Sequence, residues 1–141
     1  MHTFTRELGL ADINAAARTG ATSFEELPVA LQHVSFDKVV SFFGEVWVDF
    51  LHSTGTVLPT TAVGVVSVTV DYAHEVKLGP TRGTLVVSRL GTSSFAFALE
   101  MHQGARVVAT SSAVLVHKDF QAVRAVSLTD AQRELLTSHS A

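Results

Sequence analysis

The stretch Ser35 to His52, SFDKVVSFFGEVWVDFLH, leaves this chain few ways to fold. Val39, Val40, Phe42, Phe43, Val46, Trp47, Phe50 and Leu51 recur at steps of three and four, the helical period. Lys38, Ser41, Glu45, Asp49 and His52 make a narrow polar stripe on what remains. An apolar arc that wide predicts a helix nearly surrounded by protein, since a surface helix would leave too much of it wet. Ser35 is the expected N-cap, its hydroxyl accepting from the first turn, and Asp37 adds negative charge where the helix dipole favours it. The stop falls at Ser53-Thr54-Gly55, with Gly55 in a left-handed conformation.

The rest of the chain has to cover that helix. With 141 residues, 47% of them hydrophobic, it can build the core of one domain spanning 1–141. Thr3 to Leu10 alternates as a first strand, Phe4, Leu8 and Leu10 against Thr3, Thr5 and Glu7. Residues 15 to 32 read as an ordered excursion, in which Ser23-Phe24-Glu25-Glu26 has capping-box spacing and Pro28 limits the turn. Beyond the helix, Val63 to His74 alternates, with Val66, Val68, Val70 and Tyr72 on the expected buried face. Leu78 to Gly83 reads as a turn and Thr84 to Leu90 as a strand. Phe95, Phe97, Leu99 and Met101 alternate with Ala96, Ala98, Glu100 and His102, Gln103-Gly104-Ala105 closes a hairpin, and Arg106 to His117 runs back as the last strand. Thr129-Asp130-Ala131-Gln132 opens a short helix ending near Leu136. A strand, a long buried helix and an antiparallel meander make an α+β fold in which a curved sheet wraps one helix.

Composition narrows the function classes. Ten basic residues against thirteen acidic ones, with no basic run, disfavour a nucleic-acid partner. The absence of cysteine removes disulfides, thiolate nucleophiles and zinc–thiolate sites, and the histidines lack metal-site spacing. No G-x-S-x-G stretch occurs. With neither a signal-peptide pattern nor a membrane-spanning run, a cytoplasmic protein with no membrane partner and no cofactor is expected.

Several stretches, taken in order, resemble the thioesterase branch of the hotdog fold. HVSFDKVVSFFGEVWVDFLHSTG is similar to that family's entry to its helix, with the aromatic pair, a Glu and a closing Phe-Leu. VTVDYAHEVKLG resembles its following strand, and SRLGTSSFAFALEMHQGARVVATSSAVLVHKD its final hairpin. The resemblance is to the 4-hydroxybenzoyl-CoA thioesterases and the Tol-Pal-associated acyl-CoA thioesterases. LADINAA looks like their Asp-x-Asp-x-x-Gly motif, with Asp12 at the first acidic position and Asn14 at the second, which commonly carries the catalytic carboxylate. Here that position is an amide, and eighteen residues separate it from His33. Enediyne polyketide thioesterases also carry Asn there, with an Arg where this chain has Trp47.

The resemblance implies hydrolysis of an acyl-CoA or acyl-carrier-protein thioester by a homodimer or homotetramer, with each site at a subunit junction. It places an oxyanion site on the backbone of Val34, Ser35 and Phe36, where free N–H groups at a helix start suit developing negative charge. His33 then positions water or hydrogen-bonds the thioester; otherwise it satisfies loop backbone groups. Asp12 and Asn14 either serve the chemistry, with any proton transfer falling to Asp12, or form an Asx turn ending the first strand. Glu45 is a reserve carboxylate or a solvated surface residue. Tyr72 and His74 fall where the family lines its acyl channel, although Tyr72 also suits a core. Thr92, Ser93 and Ser94 fall near the expected pantetheine entrance, although a hairpin turn accounts for them equally. A non-catalytic acyl-binding or partner-binding hotdog protein, lacking the usual carboxylate, is the alternative.

Overall fold

A computed structural model describes residues 1–141. Six strands and three α-helices are formed. They are β1 (His2–Leu8), α1 (Asn14–Thr19), α2 (Phe36–Ser53), β2 (Val63–Tyr72), β3 (Gly79–Leu90), β4 (Ser94–Gln103), β5 (Arg106–Asp119), β6 (Arg124–Ala125) and α3 (Asp130–Ser138). The strands pair antiparallel in the order β1-β3-β4-β5-β2, with the short β6 added to β5. The concave face of this sheet packs on α2, and the largest fully buried side chains come from both: Phe42, Phe43 and Phe50 from the helix, Phe95, Phe97, Leu99 and Met101 from β4. Each such side chain contributes about 1.5–3 kcal/mol by leaving water. The expected alternation of β4 is observed from Phe97 to Met101, while Ala96 is buried along with Phe95 and Phe97; Gly55 does end the helix region at φ +65°.

The helix is less enclosed than its apolar arc predicts. Phe36 is 74% exposed and Val40 40%, both on the side that the sheet does not reach. The expected buried face of β2 is also corrected: Val66, Val68 and Tyr72 are exposed, because β2 is an edge strand with only β5 beside it. A bulge between Val65 and Ser67 further breaks its alternation. No helix is long and apolar enough to cross a membrane.

Leu78 to Gly83 is not a turn. β3 already begins at Gly79, and Gly83 lies inside it, paired with Phe4 on β1 and Met101 on β4. A side chain there would collide with Cγ2 of Val46 and stand 3.1 Å from Cε1 of Phe42. The glycine therefore serves the close approach of α2 to the sheet rather than a reversal of the chain.

Residues 15 to 32 contain α1 and two single 3₁₀ turns, Phe24–Glu26 and Val29–Leu31. Ile13, Ala15, Ala16 and Leu27 pack as a small separate core beneath them. Ser23 makes no cap; Glu26 instead accepts from the N–H and hydroxyl of Thr22, which draws its pKa below the usual carboxylate value. The capping box at Thr129 is formed. Its hydroxyl accepts from Gln132 N–H while the Gln132 side chain accepts from Thr129 N–H, and the helix runs to Ser138, past the expected end at Leu136.

Candidate active site

The amino end of α2 is held by the segment that leaves β1. Ser35 N–H donates to the Asp12 carbonyl (3.1 Å), Asn14 N–H donates to Ser35 Oγ (2.8 Å), and Asn14 Nδ2 donates to Asp37 Oδ1 (2.7 Å). The expected Ser35 cap is therefore absent: its hydroxyl is spent on docking α1 rather than on the first turn of α2. Each such bond adds on the order of 1 kcal/mol, and together they set residues 12–14 against residues 35–37 across the intervening excursion.

Beside this junction lies a cleft of about 620 Å³. Asn14, His33, Val34, Ser35, Phe36, Tyr72 and His74, seven of the residues singled out in the sequence, line it together with Arg18, Ala73, Glu75 and Val76. Of the three backbone amides expected to face an oxyanion, two are occupied: Val34 N–H donates to Val76 O (3.0 Å) and Ser35 N–H to Asp12 O. The Phe36 and Asp37 N–H groups donate to no protein acceptor, so the unpaired amides begin at Phe36 rather than at Val34. They point out of an 18-residue helix, at the end where its dipole is positive.

Tyr72 roofs the helix start, its hydroxyl donating to the Phe36 carbonyl at 3.2 Å. Burial, and then the nearby Asp37 carboxylate, push its phenol above the ordinary value. His33 is about half exposed, with Nδ1 3.8 Å from Glu75 Oε1, too far for a hydrogen bond. His74 lines the cleft at the end of β2, where its backbone N–H is anchored on Val108 O.

Five of the sequence candidates lie elsewhere. Asp12 is buried, but its carboxylate accepts from Gly9 N–H and pairs with Arg6 Nη2 at 2.9 Å, so it turns to β1 and not to the cleft. The same guanidinium meets Glu45 through Nε at 3.2 Å, which draws both carboxylates into one structural network. Thr92, Ser93 and Ser94 do not line the cleft either. Their hairpin is bound to β5, with His117 N–H donating to Ser93 O, and to the C-terminal segment, with Leu128 N–H donating to Thr92 O and Arg133 Nη1 to Gly91 O. Arg18 and Glu75 line the cleft without any local pattern in the sequence that marks them, and Asp37 has in the sequence only its place near the helix dipole. No three of the His, Asp and Glu side chains gather as a metal-holding group.

No family model matches the sequence, and comparison with curated proteins finds no match. Solved structures do match closely in shape. A predicted thioesterase from Bacillus stearothermophilus superposes with a TM-score of 0.81 at 17% identity, over 99% of this chain and 96% of that one. A 1,4-dihydroxy-2-naphthoyl-CoA thioesterase from Synechocystis gives 0.73 at 16% identity, over 96% and 95%. A probable thioesterase from Escherichia coli gives 0.73 at 18% identity, over the full length of both chains. Such coverage extends to the sheet order and the central helix, and the chain is accordingly a hotdog-fold protein.

Proposed function

We propose that this protein hydrolyses an acyl thioester, carried on coenzyme A or on an acyl carrier protein, in the cleft at the amino end of α2. The observation that carries the proposal is the pair of unpaired N–H groups on Phe36 and Asp37, which open beside a cleft large enough for an acyl–sulfur group. A thioester carbonyl lodged there would gain stabilisation as its oxygen becomes negative in the tetrahedral intermediate, because the donors are already oriented. His33 and Asn14 line the same cleft and supply groups that can hold water. The thioesterases that share the fold support the same reading.

The working unit in this proposal is a homodimer joined through β2. That strand has one unpaired edge and carries exposed Val65, Val66, Val68 and Tyr72. An apolar open edge of ten residues invites a second strand. Tyr72 and Ala73, at its end, line the cleft, so a partner paired along β2 would close the open side of each site.

Release of thiol from a panel of acyl-CoA and acyl-carrier-protein thioesters tests the reading. Turnover well above buffer, lowered in His33→Ala, is the expected result. Tight acyl-CoA binding with turnover no faster than buffer would overturn it in favour of a non-catalytic acyl-binding protein.

A further inference from the structure

The family pattern puts its carboxylate where this chain has Asn14, and Asp12, the nearest acid in sequence, is tied to Arg6. We infer that Asp37 is the carboxylate of this site, with Asn14 as its positioning partner; the inference rests on the thioesterase reading above. Asp37 stands in the first turn of α2, and Oδ1 accepts from Asn14 Nδ2 at 2.7 Å. That bond has two consequences. It holds the carboxylate beside Asn14, a residue of the cleft wall, and it fixes the Asn14 amide so that its oxygen is the atom left over. Asn14 Oδ1 and Asp37 Oδ2 have no protein donor. Two neighbouring acceptors without donors call for a ligand with two protons to give, and a water molecule is the smallest such ligand. The thioester itself has none to offer.

The step balances with these groups alone. A water donating to Asp37 Oδ2 and Asn14 Oδ1 attacks the thioester carbon, and the proton it loses passes to Asp37. The carbonyl oxygen takes up negative charge against the Phe36 and Asp37 N–H groups. Collapse of the intermediate reforms the C=O bond and breaks C–S, and the departing sulfur takes the proton back from Asp37. The products are a carboxylic acid and a thiol. Asp37 adjoins the cleft through Asn14, whereas Tyr72, His33, His74, Glu75 and Arg18 are titratable groups that line it, so its role must be separated from theirs.

Two variants make that separation, measured as kcat and kcat/KM against pH on the best thioester of the panel, with thermal melting as the folding control. Asp37→Asn keeps an acceptor for Asn14 but no base. A loss of kcat of about 10²-fold or more is expected, with the acidic limb of the profile gone. Asn14→Asp sets two carboxylates at the same spacing, which must then share a proton. Its acidic limb should move up by about one pH unit or more. If wild type hydrolyses thioesters while Asp37→Asn keeps its rate within a few-fold and its acidic limb, Asp37 is a helix-dipole residue only and the inference is overturned with the thioesterase reading intact. If wild type itself shows no turnover, that reading falls and takes the inference with it.

Discussion

Replacing Gly83 with alanine tests how the site is supported. The added methyl has no room: it meets Cγ2 of Val46 and lies 3.1 Å from Cε1 of Phe42, and both residues are fully buried on α2. A β-branched side chain on a helix has essentially one rotamer, so Val46 cannot swing aside, and Phe42 is packed against Phe4 and Phe43. Overpacking of this kind costs about 1–3 kcal/mol, against which alanine recovers about 0.4–1 kcal/mol by restricting the unfolded chain. The net expectation is a loss of about 1.5 kcal/mol. At a urea slope of about 1–3 kcal/mol/M, this is a fall of roughly 0.5–1.5 M in the unfolding midpoint, measured at fixed protein concentration. Val46→Ala alone costs about 2–3 kcal/mol through lost burial and a cavity, but in the Gly83→Ala background it relieves the collision. The double variant should therefore be more stable than the sum of the two by about 1 kcal/mol or more. A neutral or stabilising Gly83→Ala, or strict additivity with Val46→Ala, would refute the claim that this glycine sets the distance between α2 and the sheet.

Three further outcomes are expected. Tyr72 is the sole tyrosine, so its phenolate absorbance can be titrated alone, and the midpoint should lie above the ordinary value of about 10. Asp37→Asn should lower that midpoint only partly, since burial is the larger cause; because the folded phenol resists ionisation, its contribution to stability is complete below pH of about 10 and lost as pH rises through the raised value. Gln132→Ala should cost about 2–3 kcal/mol in urea unfolding, more than the roughly 1 kcal/mol of Thr129→Ala. The buried amide serves Val57 O and His117 Nε2 as well as the cap, and both variants losing the same amount would refute this. Val66→Lys on the open edge of β2 should convert a dimer to monomers in sedimentation with little change in far-UV circular dichroism. A dimer that survives the charge would place its interface elsewhere.

What was legible in the sequence follows from how local each signal is. The period of Val39 to Leu51 and the alternation of Phe95 to Met101 express burial by a single partner, and both elements formed, with Val40 left exposed and Ala96 buried against the pattern. Thr129 and Gln132 carry their whole capping interaction within four residues. Where the deciding contact is remote, the local pattern misleads. Val66, Val68 and Tyr72 have the composition of a buried strand face, yet burial depends on whether a second sheet edge arrives, and none does within one chain. Gly79-Pro80 and Gly83 have turn chemistry, but Gly83 answers to Val46, a residue 37 positions away.

The same logic governs the site. His33 and the start of α2 were legible because they adjoin in sequence, and the cleft does gather them with Asn14, Tyr72 and His74. Asp12 was the natural choice for a base because it stands in the motif and is the only acid there. Its carboxylate is claimed by Arg6, whose alternation along β1 points it inward to the same place. Asp37 had a sufficient local explanation in the helix dipole, so nothing in its neighbours asked for another. Only the meeting with Asn14, 23 residues back, gives it a second use. An amide at the motif's acidic position and an acid at the head of the helix are two departures when read along the chain. Folded together they stand side by side across one hydrogen bond, the arrangement on which the inferred role of Asp37 rests.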